Sequence, residues 1–203
     1  MGIFDQIKNV FKSEINREVR NQTRGAINNL EKQIGKGMNK SEKFKFQAIP
    51  SSLEELQALP EAKLDSPYKT AALVMLTLMN YERNPEETAR MLDFLNGPND
   101  VSNHVKQFLK EHLGEKPYKA PSFFEGATVQ NNYTPNVPYV ITISENPYSF
   151  DNKDWATLWV KSAGGDNPRP IIFRHKPSTN EWFFTEIQCL TDIRTPVKDD
   201  PWA

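Results

Sequence analysis

From Ile3 onward the apolar residues Ile3, Phe4, Ile7, Val10, Phe11, Ile15, Val19, Ala26, Ile27, Leu30 and Ile34 recur mostly at steps of three and four. That is the period of one helical face, so the pattern predicts an amphipathic N-terminal helix, broken near Gly25. Lys8, Lys12, Arg17, Arg20, Arg24 and Lys32 mostly fill the other positions and make the opposite face basic. Gly35, Gly37 and Asn39 end the pattern, and 35–41 reads as a hinge.

The period then changes to two. Phe44 and Phe46 alternate with Lys43, Lys45 and Gln47 in a short strand that Pro50 stops. Four helices with clear boundary signals follow. Ser52 and Glu55 have capping-box spacing ahead of Leu53, Leu56 and Leu59, and Pro60 closes that helix. Ser66 before Pro67 sets a cap and a first-turn proline ahead of 71–79, which is apolar on nearly every side and predicts a buried central helix. Asn84, Pro85, Glu86 and Glu87 open a third helix that Gly97 and Pro98 stop. A fourth runs from about Ser102 to Leu113, with Gly114 after it.

Beyond Gly114, Pro117, Pro121, Gly126, Asn131, Asn132, Pro135 and Pro138 are too dense for a helix and predict a long ordered loop. Four β-branched or aromatic runs come next, at 139–143, 155–160, 170–175 and 182–187, separated by turns at 164–167 and 177–180. Helices first and strands second predict an α+β fold: a layer of about four helices packed on an antiparallel β meander, preceded by the amphipathic helix. The expected organisation is an arm and hinge over 1–42 and a single α+β domain over 43–203.

Charge sharpens that division. Through Phe46 there are ten basic and five acidic residues; the remainder has fifteen and twenty-one, so a total of −1 hides a basic arm and an acidic body. The one cysteine, Cys189, excludes an internal disulfide and suits a reducing cytosol. The longest apolar run, 71–76, is far short of the ~20 residues that span a bilayer, and the N-terminus lacks the pattern of a signal peptide. The expected location is cytoplasmic, at most peripheral at the membrane.

Several strings point to relatives: Phe44-Lys45-Phe46-Gln47-Ala48-Ile49-Pro50, Ser122-Phe123-Phe124-Glu125-Gly126-Ala127-Thr128 with Asn131-Asn132-Tyr133-Thr134-Pro135, Glu145-Asn146-Pro147-Tyr148, and Asp200-Pro201-Trp202-Ala203. Together they resemble an uncharacterised bacterial family, a domain of unknown function, over about residues 44–203. The resemblance implies one domain and a bacterial source. It brings no activity, substrate or catalytic residue.

Nucleophilic chemistry needs a thiol or hydroxyl, a base within reach and an orienting group. Cys189, His175 and Asp192 are the available set, yet Cys189 sits in Ile187-Gln188-Cys189-Leu190, where a buried inert cysteine is the commoner outcome. His104 and His112 are eight apart, turning their side chains about 80° from each other on a helix, and no metal-ligand spacing or phosphate loop appears. No catalytic residue, cofactor or metal is therefore assigned. Glu125, Asn131, Asn132, Tyr133, Glu145, Asn146 and Tyr148 are the ligand-binding candidates, because carboxylates among Asn and Tyr line polar-aromatic sites. The competing use of the asparagines is to satisfy loop backbone.

A cationic amphipathic helix suits a protein partner, self-association or an anionic membrane, with Ile3, Phe4, Ile7, Val10, Phe11, Lys8 and Lys12 as the contact residues. Nucleic acid ranks third, since Glu14, Glu18 and Glu31 interrupt the charge and aromatic residues are not interleaved. The leading expectation is a non-enzymatic binding or adaptor protein docked through this helix. The alternative is a small-molecule enzyme, hydrolase-like, with its pocket between 122–133 and the sheet edge near Glu145 and Tyr148.

Overall fold

A computed structural model describes residues 39–202. The amphipathic arm and its contact residues Ile3, Phe4, Ile7, Lys8, Val10, Phe11 and Lys12 lie outside the described residues. The order of elements is β1 (Ser41–Phe46), α1 (Leu53–Gln57), α2 (Pro67–Leu78), α3 (Pro85–Asn96), α4 (Asn103–Leu113), β2 (Tyr139–Ser144), β3 (Trp155–Val160), β4 (Arg169–Lys176) and β5 (Glu181–Ile187). The α+β class expected from the residue pattern is the one observed.

The helices start where capping chemistry places them. The hydroxyls of Ser52, Ser66 and Ser102 accept from the amides of Glu55, Tyr68 and Val105, and the Asn84 side chain accepts from Glu87 N–H. One detail departs from an ideal capping box. The Glu55 carboxylate turns back to Ser51, accepting from its amide at 2.7 Å and its hydroxyl at 2.9 Å. These bonds hold the Glu55 carboxyl below the usual carboxylate range. The second carboxylate of the α3 start, Glu87, reaches across to the Leu53 amide at 2.8 Å and joins α1 to α3.

Every residue of α2 except Lys69 is buried, which accounts for its lack of a polar face. It lies under a five-stranded antiparallel sheet of order β1-β2-β3-β4-β5. Period-two alternation sends Phe44, Phe46, Ile141, Ile143, Ala156, Leu158, Val160, Ile171, Phe173, Phe184 and Ile187 toward the helices, and all are buried. Register carries the same message across the strands: Phe44 faces Ile141, Leu158 faces Ile171 and Phe173 faces Phe184. β1 opens at Ser41, two residues ahead of the expected domain start, and pairs with β2 along its full length, so the whole helical layer is inserted between two neighbouring strands.

At the far edge, β5 is tied to the helices by two backbone contacts. Trp182 N–H donates to the Leu64 carbonyl at 2.7 Å, and the Thr70 hydroxyl donates to the Trp182 carbonyl at 2.8 Å. A bulge between Ile172 and Phe173 interrupts the β4–β5 register.

Candidate functional site

The sequence-derived candidates fall into three separate places. Glu125 is exposed; its carboxylate receives a 2.8 Å ion pair from Lys43, while its amide donates to Val140 C=O. Lys43 is paired with Thr142, and both belong to the sheet face turned away from the helices. Glu145 follows β2 on the opposite face, where it accepts a hydrogen bond from the hydroxyl of buried Tyr68 in α2. Burial, then this carboxylate, raises the Tyr68 hydroxyl far above the usual tyrosine range. The two glutamates therefore do not share a cleft.

Within the loop, polar groups are spent on backbone. The Asn131 carboxamide accepts from Thr128 and Thr134 amides at 2.8 and 3.1 Å and donates to Gly126 and Thr134 carbonyls at 2.7 and 3.0 Å. Asn132 accepts from Lys198 N–H. Tyr133 is buried, stacks on Tyr118 at 5.8 Å and donates to Arg194 C=O; burial raises its hydroxyl above the usual value. Asn146 accepts from Tyr148 N–H in the β2–β3 loop, and the Tyr148 ring is 69% exposed. We expect Asn131→Ala to cost about 2 kcal/mol, because several loop bonds vanish at once in a partly exposed setting. Urea denaturation reads this directly, and a change below about 0.5 kcal/mol would show that the loop organises itself without the side chain.

A cavity of about 470 Å³ does lie beside this loop, between 122–127 and Thr142, Ser144, Lys161 and Pro168. It includes Glu125 but neither Glu145 nor Tyr148. Behind it the Ser122 hydroxyl donates to Lys119 C=O and lies 2.7 Å from the Ser162 hydroxyl, which accepts from Gly164 N–H. The Lys119 ammonium, pushed below the usual lysine value by burial, points instead to Leu190 C=O. These hydroxyls brace the loop.

The possible nucleophile set is also dispersed. Cys189 is fully buried against the Met75 sulfur at 3.7 Å, and burial pushes its thiol up to about 12. His175 pairs with Trp182 and Ile171 with Ile187, so histidine and cysteine sit toward opposite ends of the strand pair. At ~3.3 Å per residue that is roughly 13 Å or more. Asp192 meets Arg169 at 3.4 Å. Among the described residues, no three His, Cys, Asp or Glu side chains gather as a metal site.

A second groove lies elsewhere. A groove of about 630 Å³ runs between the α3–α4 connection and the outer end of the β4–β5 hairpin. Gly97 makes it possible: φ is +91°, and a Cβ there would stand 2.7 Å from the Phe183 ring. Phe183, Val105, Pro98 and Pro177 supply apolar walls, and Arg174, His175 and Lys176 supply one rim. Asn96, Asn99, Asp100 and Ser102 form the other side. The Arg174 guanidinium lies 5.4 Å from the Trp155 ring centre, a cation–π contact that orients it. His175 stacks on Trp182 at 4.7 Å with its ring nitrogens 3.3 Å from Asp154 and 3.1 Å from Asn180.

Sequence reasoning read Gly97-Pro98 as a helix stop and 177–180 as a turn, and missed that the two meet. The one available signal was Arg174 and Lys176 alternating with Phe173 and His175, which marks a cationic strip on the uncovered sheet face. Among the described residues, no helix is long and apolar enough to cross a membrane. Comparison with curated proteins and with solved structures yields no match. A family model does match residues 48–197, nearly all of the helical layer and sheet, and by that match the chain belongs to DUF6935, a domain of unknown function.

Proposed function

We propose that the protein is a non-enzymatic binding protein of the bacterial cytoplasm, an adaptor whose body holds a ligand or partner segment in the groove beside β5. Its basic amphipathic N-terminal helix docks on a protein partner or, peripherally, on a membrane. The observation that carries the binding role is the groove itself: about 630 Å³, with apolar walls and charged rims, falls in the size range of ligand sites. The charge division at Phe46 supports a separate docking element, since a +5 segment precedes a −6 body.

Docking is tested on the full chain by replacing Ile7 and Phe11 with Asp. Removing two apolar anchors worth ~1.5–3 kcal/mol each should cut co-sedimentation with phosphatidylglycerol vesicles, or crosslinking to partners, by about tenfold or more. The melting temperature of the body should stay unchanged. Equal sedimentation and crosslinking by both proteins would remove the docking role.

A further inference from the structure

The geometry points to the groove beside β5 as a site for an oxyanion, carboxylate or phosphate monoester, carried on an aromatic or branched apolar body. This rests on the binding role proposed above and names the ligand class. Arg174 and Lys176 are two residues apart on β4, so the strand presents both to the same side. Among the described residues neither has a carboxylate within ion-pair distance, whereas Arg90, Arg169 and Arg194 each do. The body is acidic by six charges; two cations left unpaired on a concave wall of such a body call for a counter-charge from outside.

The Arg174 fork adds selectivity. The guanidinium rests over Trp155 of β3, outside the groove lining, and an oxyanion in the groove draws this planar fork from the ring into bidentate contact. On the facing wall Ser102 caps α4, an eleven-residue helix, and its positive end reinforces the preference for an anion. Below these polar groups the walls are Phe183, Val105, Pro98 and Pro177, which suit an apolar body and reject a bare ion. The negative groups around the groove are Asp100 on the α3–α4 side and Glu181, opposite Lys176 in register. They leave Arg174 as the main oxyanion contact and make the sign of each substitution predictable.

The test titrates the full-length protein by calorimetry and tryptophan fluorescence with phenyl phosphate, phenylacetate, benzyl alcohol and inorganic phosphate. Phenyl phosphate and phenylacetate should saturate, inorganic phosphate should bind at least about tenfold more weakly, and benzyl alcohol should not saturate. Arg174→Gln should weaken phenyl phosphate about tenfold or more and Lys176→Gln severalfold, while Asp100→Asn should tighten it severalfold. Opposite signs from Lys176→Gln and Asp100→Asn decide the matter even if Arg174→Gln lowers stability. A peptide ending in Glu-Phe separates the sources: binding tighter than phenyl phosphate with the same Arg174 dependence assigns a partner's acidic chain end, and weaker binding assigns a free small molecule. Equal affinity for benzyl alcohol, or affinities that none of the three substitutions moves, would overturn the oxyanion site. If that happened while the Ile7 and Phe11 substitutions still abolished docking, the ligand class would fail and the adaptor role would stand.

Discussion

Phe184→Ala is expected to destabilise the protein by about 3–5 kcal/mol. The ring is fully buried and faces Phe173 across β4 and β5, on the side of the sheet that packs against α2. Removing it forfeits the transfer energy of a phenyl group and leaves a cavity whose walls have little freedom to close. On one side β5 is fixed to Leu64 and Thr70 through the backbone of Trp182. On the other it is paired to β4. The urea midpoint should fall with the slope unchanged, and the melting temperature should drop by on the order of 10 °C. Phe184→Leu, which keeps most of the volume, should cost much less. A loss below about 1 kcal/mol for the alanine variant would mean that this part of the core collapses freely.

Raising the pH above 9 is expected to erode stability, with Cys189 as the first of the buried groups to contribute. Burial lifts its thiol from an ordinary 9.0 to about 12. A group whose folded value is raised contributes stability that is fully present below the unfolded value and is lost as pH rises through the folded one. For Cys189 the window is therefore pH 9 to about 12, and a rise of that size corresponds to at most about 4 kcal/mol. Tyr68 and Tyr133 act in the same direction above pH 10, since burial raises both. Lys119 opposes them: its folded value is lowered, so its contribution grows as pH climbs toward the unfolded lysine value. Urea denaturation at pH 8, 9, 10 and 11 checks this. Cys189→Ala should be less stable than the parent at pH 8, and the gap should shrink at each step upward. Parallel curves for the two proteins would show that the thiol is not what titrates.

Much of the scaffold was legible because its signals are local. Ser52, Ser66, Asn84 and Ser102 each state a helix start through a side chain that reaches only two or three residues along the chain. Phe44 and Phe46 announced a strand by their spacing, but the pairing with β2 depends on tertiary assembly and has no local signature. The loop asparagines were ambiguous for a chemical reason: a carboxamide suited to a ligand is equally suited to its own backbone, and Asn131 is used for the latter. The groove was invisible because its two walls, around Gly97 and around Arg174, come from segments that look like ordinary punctuation when read separately.

The pairing of the first strand with the second has a consequence during synthesis. Phe46 must wait for Tyr139, roughly a hundred residues later, which at a ribosomal pace of 5–20 residues per second means a delay of about 5–20 s. Throughout that interval β1 is the one strand already synthesised, since β2 to β5 all come later in the chain. The four helices are therefore synthesised while β1 has no partner, and the sheet assembles only as β2 and its successors arrive.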